Sequence, residues 1–364
     1  MSKKEKNNLN NDRICAAKKT SIGGQALIEG IMMRGPKVSA MAVRNPQGEI
    51  VLEKWDTFSK PVPKVCKLPI IRGVYGFISS MTMGYKALMR SAEIAGLDEI
   101  EEEMAREKAA KKAAKRKKKA DIDETTEELA ITEATAENSK KKESSLLVNF
   151  IMIVASVLGF ALAIGLFIML PTFLYELLPF PTFENKALNS LVKSAFEGIL
   201  KIVMLVGYMA LVSLMKDIRR TFQYHGAEHK TIFCYESGEE LTVENVRKQR
   251  RFHPRCGTAF LILMLIVGMF ISFLIDPIFY LTIGQLPHVA IRALIKLLTL
   301  PITMGLGYEL IKLAGRHDNL FTRIISAPGL WLQRITVLEP SDDMIECAIT
   351  AFKEVIPQDQ SDNY

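Results

Sequence analysis

The apolar positions of this chain gather into long unbroken blocks separated by stretches rich in charge. Leu146 to Leu170 runs LLVNFIMIVASVLGFALAIGLFIML without a charged residue, and Gly257 to Ile275 runs GTAFLILMLIVGMFISFLI. A helix needs about 20 such residues to cross a hydrocarbon core, and there only a helix satisfies its backbone polar groups within one segment. Both blocks therefore read as membrane spans. Two more blocks are compromised but apolar: Ile199 to Met215, with Lys201, and Ala290 to Leu313, with Arg292, Lys296, Pro301, Glu309 and Lys312. A core helix of a soluble domain would be shorter and would carry a polar stripe. The predicted fold class is mainly α, a multi-pass helical membrane protein of about four spans over 146–315, with a small N-terminal β-rich cytosolic module.

Outside the blocks the period changes. VSAMAVR and EIVLEKW flank Asn45-Pro46-Gln47-Gly48, a turn with the residues a hairpin requires. Just before it, GGQALIEGIMMRGP sets glycines and a proline around Glu29 and Arg34, which suits close backbone packing or a sharp turn. A phosphate loop needs another spacing and a Lys-Ser/Thr pair. From Ile70 to Leu88 apolar residues follow helical periodicity, giving either an amphipathic or re-entrant helix at the membrane surface or a core helix of the module, which together occupy 21–97. Residues 1–20 are polar and read as disordered, without a signal peptide. Residues 98–145 alternate acidic and basic blocks with few bulky apolar residues and read as a charged linker. In the C-terminal segment 316–364, Ser341 to Val355 reads as a capped amphipathic helix, and Trp331 suits the headgroup level.

Charge adds orientation. Lys140, Lys141 and Lys142 precede the first span, Lys216, Arg219 and Arg220 follow the second, and 171–190 with 276–289 hold a single Lys186. The bias puts both termini and the segment between the middle spans in the cytosol. The net charge of +7 then belongs to cytosolic parts, where it favours membrane lipids with anionic headgroups or RNA, the run KKAAKRKKK being one contact for a ribosome. Five cysteines, mostly on a reducing side, argue against a disulfide framework.

The segment 216–256, expected as a loop, carries the chemistry. It holds three of the five histidines. His225, Glu228 and His229 have the spacing H-x-x-E-H, which on a helix turns both imidazoles and the carboxylate to one face. His253 and Cys256 follow, a nitrogen and a soft sulfur donor just before the third span. Zinc or another divalent transition metal suits these donors. Four readings stay open: catalysis with Glu228 as base, a tetrahedral site that only staples the loop, histidines that hydrogen-bond without metal, and a Cys256 that merely packs. Glu309, in GLGYELIK of the fourth span, is a second catalytic candidate, able to complete the site from the membrane side or to pair with Lys312 or Arg255.

GGQALIEGIMMRGP, FQYHGAEHKTIFCYE, RFHPRCGTAFL, GYELIK and PGLWLQRIT together resemble the YqhQ-like family of bacterial membrane proteins, uncharacterised and labelled predicted metal-dependent enzymes. The resemblance implies a cytoplasmic-membrane location and metal ligation by His225, His229, His253 and Cys256, with Glu228 as base. The H-x-x-E-H spacing is also similar to that of inverted zinc peptidases, which are soluble domains. Three function classes follow. The first is a metal-dependent hydrolase of lipid-linked or peptide substrates. The second is a non-enzymatic membrane-protein biogenesis factor that binds ribosome, translocon or other membrane proteins, its metal structural. The third is a transporter or channel, which four helices would build only as a homo-oligomer. No DNA partner is expected.

Overall fold

A computed structural model describes residues 19–58, 62–96, 154, 157–159, 161–181, 183–283, 289–317, 319–359 and 361–362. The expected disordered terminus, except its last two residues, and the expected linker 98–145 lie outside these residues, as does the start of the first predicted span.

Four strands, β1 (Gly23–Leu27), β2 (Gly30–Arg34), β3 (Val38–Arg44) and β4 (Ile50–Asp56), form an antiparallel meander in sequence order. The hairpin expected around Asn45 joins β3 to β4, with Gly48 at φ +87 where a Cβ would be strained. The glycine-rich motif is itself the β1–β2 hairpin, with Leu27 opposite Gly30 and Glu29 in the left-handed region at φ +49. Arg220 grips both oxygens of the Glu29 carboxylate at 2.5 Å, and the Arg44 N–H donates to the Glu29 carbonyl, which fixes this turn.

Helices cover both faces of the sheet. On one lie α4 (Lys216–Glu236) and α9 (Asp342–Val355), with the short α5 (Val243–Lys248) beside them. Ile31, Met33, Ala40 and Ala42 from the sheet meet Tyr224, Ala227, Ile345, Ala348 and Phe352 in a core from which water is excluded. Burying a side chain such as Phe352 is worth about 1.5–3 kcal/mol. On the other face α1 (Ile71–Ile94) packs Ala87 with Ala95 against Leu27, Met32, Met41 and Val43. The segment 216–256, expected as a loop between spans, is thus largely helix. It belongs to the packed module because α4 turns twelve buried residues inward, more than a solvated loop could hold.

Among the described residues, four helices are long and apolar enough to cross a membrane: Val157–Leu177, Ala187–Val212, Gly257–Phe279 and Leu294–Arg316. The first ends in α2 (Leu170–Leu177), which follows a π-helical turn over Gly165–Met169. The others lie in α3 (Lys186–Val212), α6 (Gly257–Ile283) and α7 (Val289–Arg316), and α8 (Leu320–Thr336) follows α7. Asn185 caps α3 by accepting from the Ala187 and Leu188 N–H groups, and Asn319 with Thr322 makes a capping box on α8. Leu211, Leu274 and Leu298 stand about two-thirds exposed, the outward apolar surface that lipid tolerates and water does not. Between the helices the polar side chains pair: Lys296 donates to Glu197 at 2.5 Å, and Ser194 to Asp276 at 2.6 Å.

α1 has two apolar faces. Its C-terminal half is a core helix of the sheet, while Ile71, Ile78, Met81, Tyr85 and Met89 form an exposed apolar stripe. Its N-terminal half meets the long helices: Phe77 packs on Phe260 of α6 with ring centroids 5.7 Å apart, and Gly73 lies against Tyr308 of α7.

Candidate metal centre

α4 brings His225 and His229 to one face at i and i+4, with ring centroids 4.5 Å apart. The helix can approach its neighbours this closely because of Gly226. A Cβ there would stand 1.9 Å from the Leu338 carbonyl oxygen. Cys256 arrives from the residue before α6, where its carbonyl accepts the Ala259 N–H and the helix N-terminus favours a thiolate.

His225, His229 and Cys256 are buried, and one donor atom of each lies within 4.8 Å of the others. Donors around a tetrahedral ion at 2.0–2.3 Å stand roughly 3.3–3.7 Å apart, so a small closure of side chains suffices. The outer hydrogen bonds suit ligation. His225 Nδ1 donates to the Thr336 carbonyl at 2.9 Å, which leaves Nε2 3.1 Å from Cys256 Sγ. His229 Nδ1 donates to the Arg251 carbonyl at 2.5 Å. Its Nε2 is buried with no hydrogen-bond partner among the described residues. A carbonyl on one ring nitrogen and a bare lone pair on the other is how a metal-ligating histidine is held. A buried nitrogen left without any partner would otherwise cost about 1–3 kcal/mol. The residues present therefore fit a transition ion.

The electrostatics point the same way. Burial opposes the Cys256 thiolate, but the His225 and His229 imidazoles outweigh it and hold the thiol well below its usual range. Burial likewise opposes a charged His225, yet the Cys256 thiolate raises it to about 9. Glu228 is pushed above the usual carboxylate range by burial, against the pull of His225 and His229 and the hydrogen bond its Oε1 accepts from the Gly24 N–H at 3.0 Å. A buried carboxyl raised in this way and held by a backbone N–H suits general acid–base work.

The other two expected site residues sit apart from this group. His253 lies with its ring centroid 5.6 Å from that of His229, and both of its nitrogens are turned elsewhere. Nδ1 accepts from the Arg255 N–H at 3.3 Å, and Nε2 faces Glu236 Oε2 at 3.7 Å. Burial lowers this imidazole to about 4, so it is neutral. Glu236 is in turn held low: burial would raise it, but His253, Arg255 and the Thr20 N–H stabilise its charge. Gln333 clamps the His253 backbone from both sides, accepting from its N–H at 2.8 Å and donating to its carbonyl at 2.7 Å. Glu309 faces α1 instead, where Arg72 donates to its two oxygens at 2.7 and 2.5 Å and the Ile70 N–H adds a contact at 3.4 Å. Its partner is thus Arg72 rather than Lys312 or Arg255.

Sequence reasoning did not single out Gly24, Arg251, Gln333 or Thr336. Gly24 had a signal, since a glycine pair opening a strand asks what comes close. A Cβ there would lie 2.7 Å from the Met32 carbonyl oxygen and 3.0 Å from Glu228 Cδ.

Fold and site together define a mainly helical protein with four candidate membrane-crossing helices, a four-stranded sheet, and a buried His-His-Cys group close enough to hold a metal ion. The family described as "Protein of unknown function (DUF1385)" matches residues 68–358, and the chain belongs to it. It is 33% identical over 338 residues to the "Uncharacterized protein YqhQ" of Bacillus subtilis (strain 168), covering 92% of each chain, in keeping with the YqhQ-like resemblance. No solved structure matches the chain.

Proposed function

We propose that the chain is an integral protein of the bacterial cytoplasmic membrane, both termini cytosolic, that binds zinc or a similar divalent transition ion through His225, His229 and Cys256 and hydrolyses a membrane-associated substrate. The observation that carries this reading is the orphaned, buried Nε2 of His229 beside the Cys256 thiolate and His225 Nε2. Three protein donors rather than four is the pattern of sites that keep a position open for chemistry. An ion bound there would supply Lewis acidity, polarising a carbonyl or phosphoryl oxygen and acidifying water. Glu228 takes the proton from the attacking water and returns it to the leaving group, its carboxylate aimed by the Gly24 N–H. Arg251 and Thr336 fix the two imidazole rings through their carbonyls.

Cobalt substitution tests the reading. A Co(II)-loaded protein should show a thiolate charge-transfer band, and its d–d bands should shift when acetohydroxamate is added, because one position is open. Glu228→Gln should keep the metal and lose the metal-dependent phenotype. A cobalt spectrum indifferent to the added ligand would mean a closed, structural site and would remove hydrolysis.

A second reading, transport, is favoured by the half-buried Lys296 paired with the buried Glu197 between candidate spans, since ionisable residues in such helices commonly mark ion or substrate pathways. Glu197→Gln would then abolish flux while leaving metal content unchanged.

A further inference from the structure

The helix that supplies Thr336 and Gln333 to the site has a second face with a different character. On α8, Thr322, Gly329, Leu332, Gln333 and Thr336 are buried, whereas Leu320, Phe321, Ile324 and Trp331 are each more than half exposed. At about 100° per residue, Leu320, Ile324, Ala327 and Trp331 share an arc of roughly 60° lying opposite Gly329. Arg323 and Arg334, also exposed, run along one edge of that arc. The stripe adjoins two candidate spans, α7 along the chain and α6 by packing. α8 begins four residues after Arg316, where α7 ends, and its Gly329 packs so tightly on α6 that a Cβ would stand 2.4 Å from the Ala259 Cβ. It therefore lies beside the first turn of a helix that is apolar enough to cross the bilayer. Leucine, isoleucine and tryptophan in an arc edged by arginine is the composition of a helix lying in the plane of a lipid interface.

We propose that α8 lies in the headgroup region of the bilayer crossed by α6 and α7, its Leu320, Ile324 and Trp331 in the outermost acyl layer and its arginines on anionic headgroups, and that this seating holds the metal-site ring of His225 in place. The coupling is geometric. Thr336, at the last turn of α8, accepts the His225 Nδ1–H, and Gln333 one turn earlier clamps the His253 backbone. A helix that tips out of the interface takes both groups with it. Lipid contact thereby becomes a condition for an ordered site, which suits an enzyme whose substrate is itself held at the membrane surface. The regulatory half of this proposal rests on the metal-site reading, the seating of the helix does not.

Trp331 reports the seating directly once Trp55→Phe removes the other tryptophan. In vesicles of phosphatidylcholine and phosphatidylglycerol, acyl chains brominated near the glycerol should quench its fluorescence by about twofold or more, and chains brominated near the methyl end much less. No quenching by either lipid, as expected if a protein or a second copy covers the stripe, would overturn the proposal. The paired substitution Leu320→Gln with Ile324→Gln, on exposed positions that carry no packing of the fold, should cut the quenching. It should also speed alkylation of Cys256 by iodoacetamide several-fold in the presence of a chelator, read by peptide mass spectrometry. Unchanged alkylation with reduced quenching would overturn the coupling. Because the chelated protein is used, that failure is distinct from failure of the metal reading, which shows as absence of cobalt binding by the wild type.

Discussion

Gly226→Ala adds one methyl to the H-x-x-E-H motif without touching a donor, and the structure fixes what that methyl meets. Its Cβ would stand 1.9 Å from the Leu338 carbonyl oxygen, whereas ordinary contact begins near 3.4 Å, so α4 and the 337–340 segment must part by about 1.5 Å. The segment is not free to move away. The Leu338 N–H donates to the Phe222 carbonyl at 2.9 Å, Gln223 donates to the Glu339 carbonyl at 3.2 Å, and Lys230 and Arg251 both pair with the Glu339 carboxylate. The strain falls on backbone, so overpacking should cost about 1–3 kcal/mol. Metal donors tolerate only about 0.5 Å of misplacement, and His225 is the adjacent residue. Disturbed support of this kind typically lowers metal affinity about 10–100-fold. The assay is a competitive zinc titration against a chromophoric chelator on detergent-purified protein, run with a thermal melt. Arg219→Ala, on the exposed side of the same helix, is the control and should change neither quantity. Wild-type affinity together with an unchanged melting temperature in Gly226→Ala would refute the packing argument.

Three further outcomes follow from the same geometry. Gly24→Ala drives a methyl to within 3.0 Å of Glu228 Cδ, so it should abolish the metal-dependent phenotype while zinc content stays near one per chain; loss of metal would show Glu228 to be a ligand. Glu236 has a depressed pKa in the folded protein, so its stabilisation is present above the ordinary carboxylate range and disappears as pH falls through its folded value. Glu236→Gln should therefore be about 2 kcal/mol less stable than wild type at pH 7, and the gap should narrow as pH falls below the ordinary carboxylate range; a gap independent of pH contradicts the assignment. Glu309→Gln and Arg72→Gln should each lower the melting temperature, with the double variant no worse than either, and both should retain metal; metal loss in Glu309→Gln would return that carboxylate to the site.

The parts legible in the sequence are those written in side chains at short range. Long apolar blocks, two of them free of charge, announced the long helices, Asn45 to Gly48 announced the β3–β4 hairpin, and a four-residue spacing set His225 beside His229 once the segment proved helical. What was not legible is made by backbone groups or by distant pairing. The Thr336 and Arg251 carbonyls that orient the two imidazoles could belong to any residue type. Gly24 meets Glu228 across 204 positions, and Arg72 meets Glu309 across 237. His253 shows the converse. As a donor type at a suggestive spacing it reads as a ligand, yet Glu236 and Arg255 take both its nitrogens, and nothing in its own motif shows that a buried carboxylate waits nearby. The apparent loop was a helix because its apolar residues serve a sheet encoded 200 residues earlier.

The metal content of the purified protein tests the central claim most directly. Elemental analysis of wild type should find about one zinc or similar ion per chain, falling close to zero in His229→Ala and in Cys256→Ser and staying near one in Glu309→Gln. A wild type without stoichiometric metal, or a His229→Ala protein that keeps it, would contradict the account.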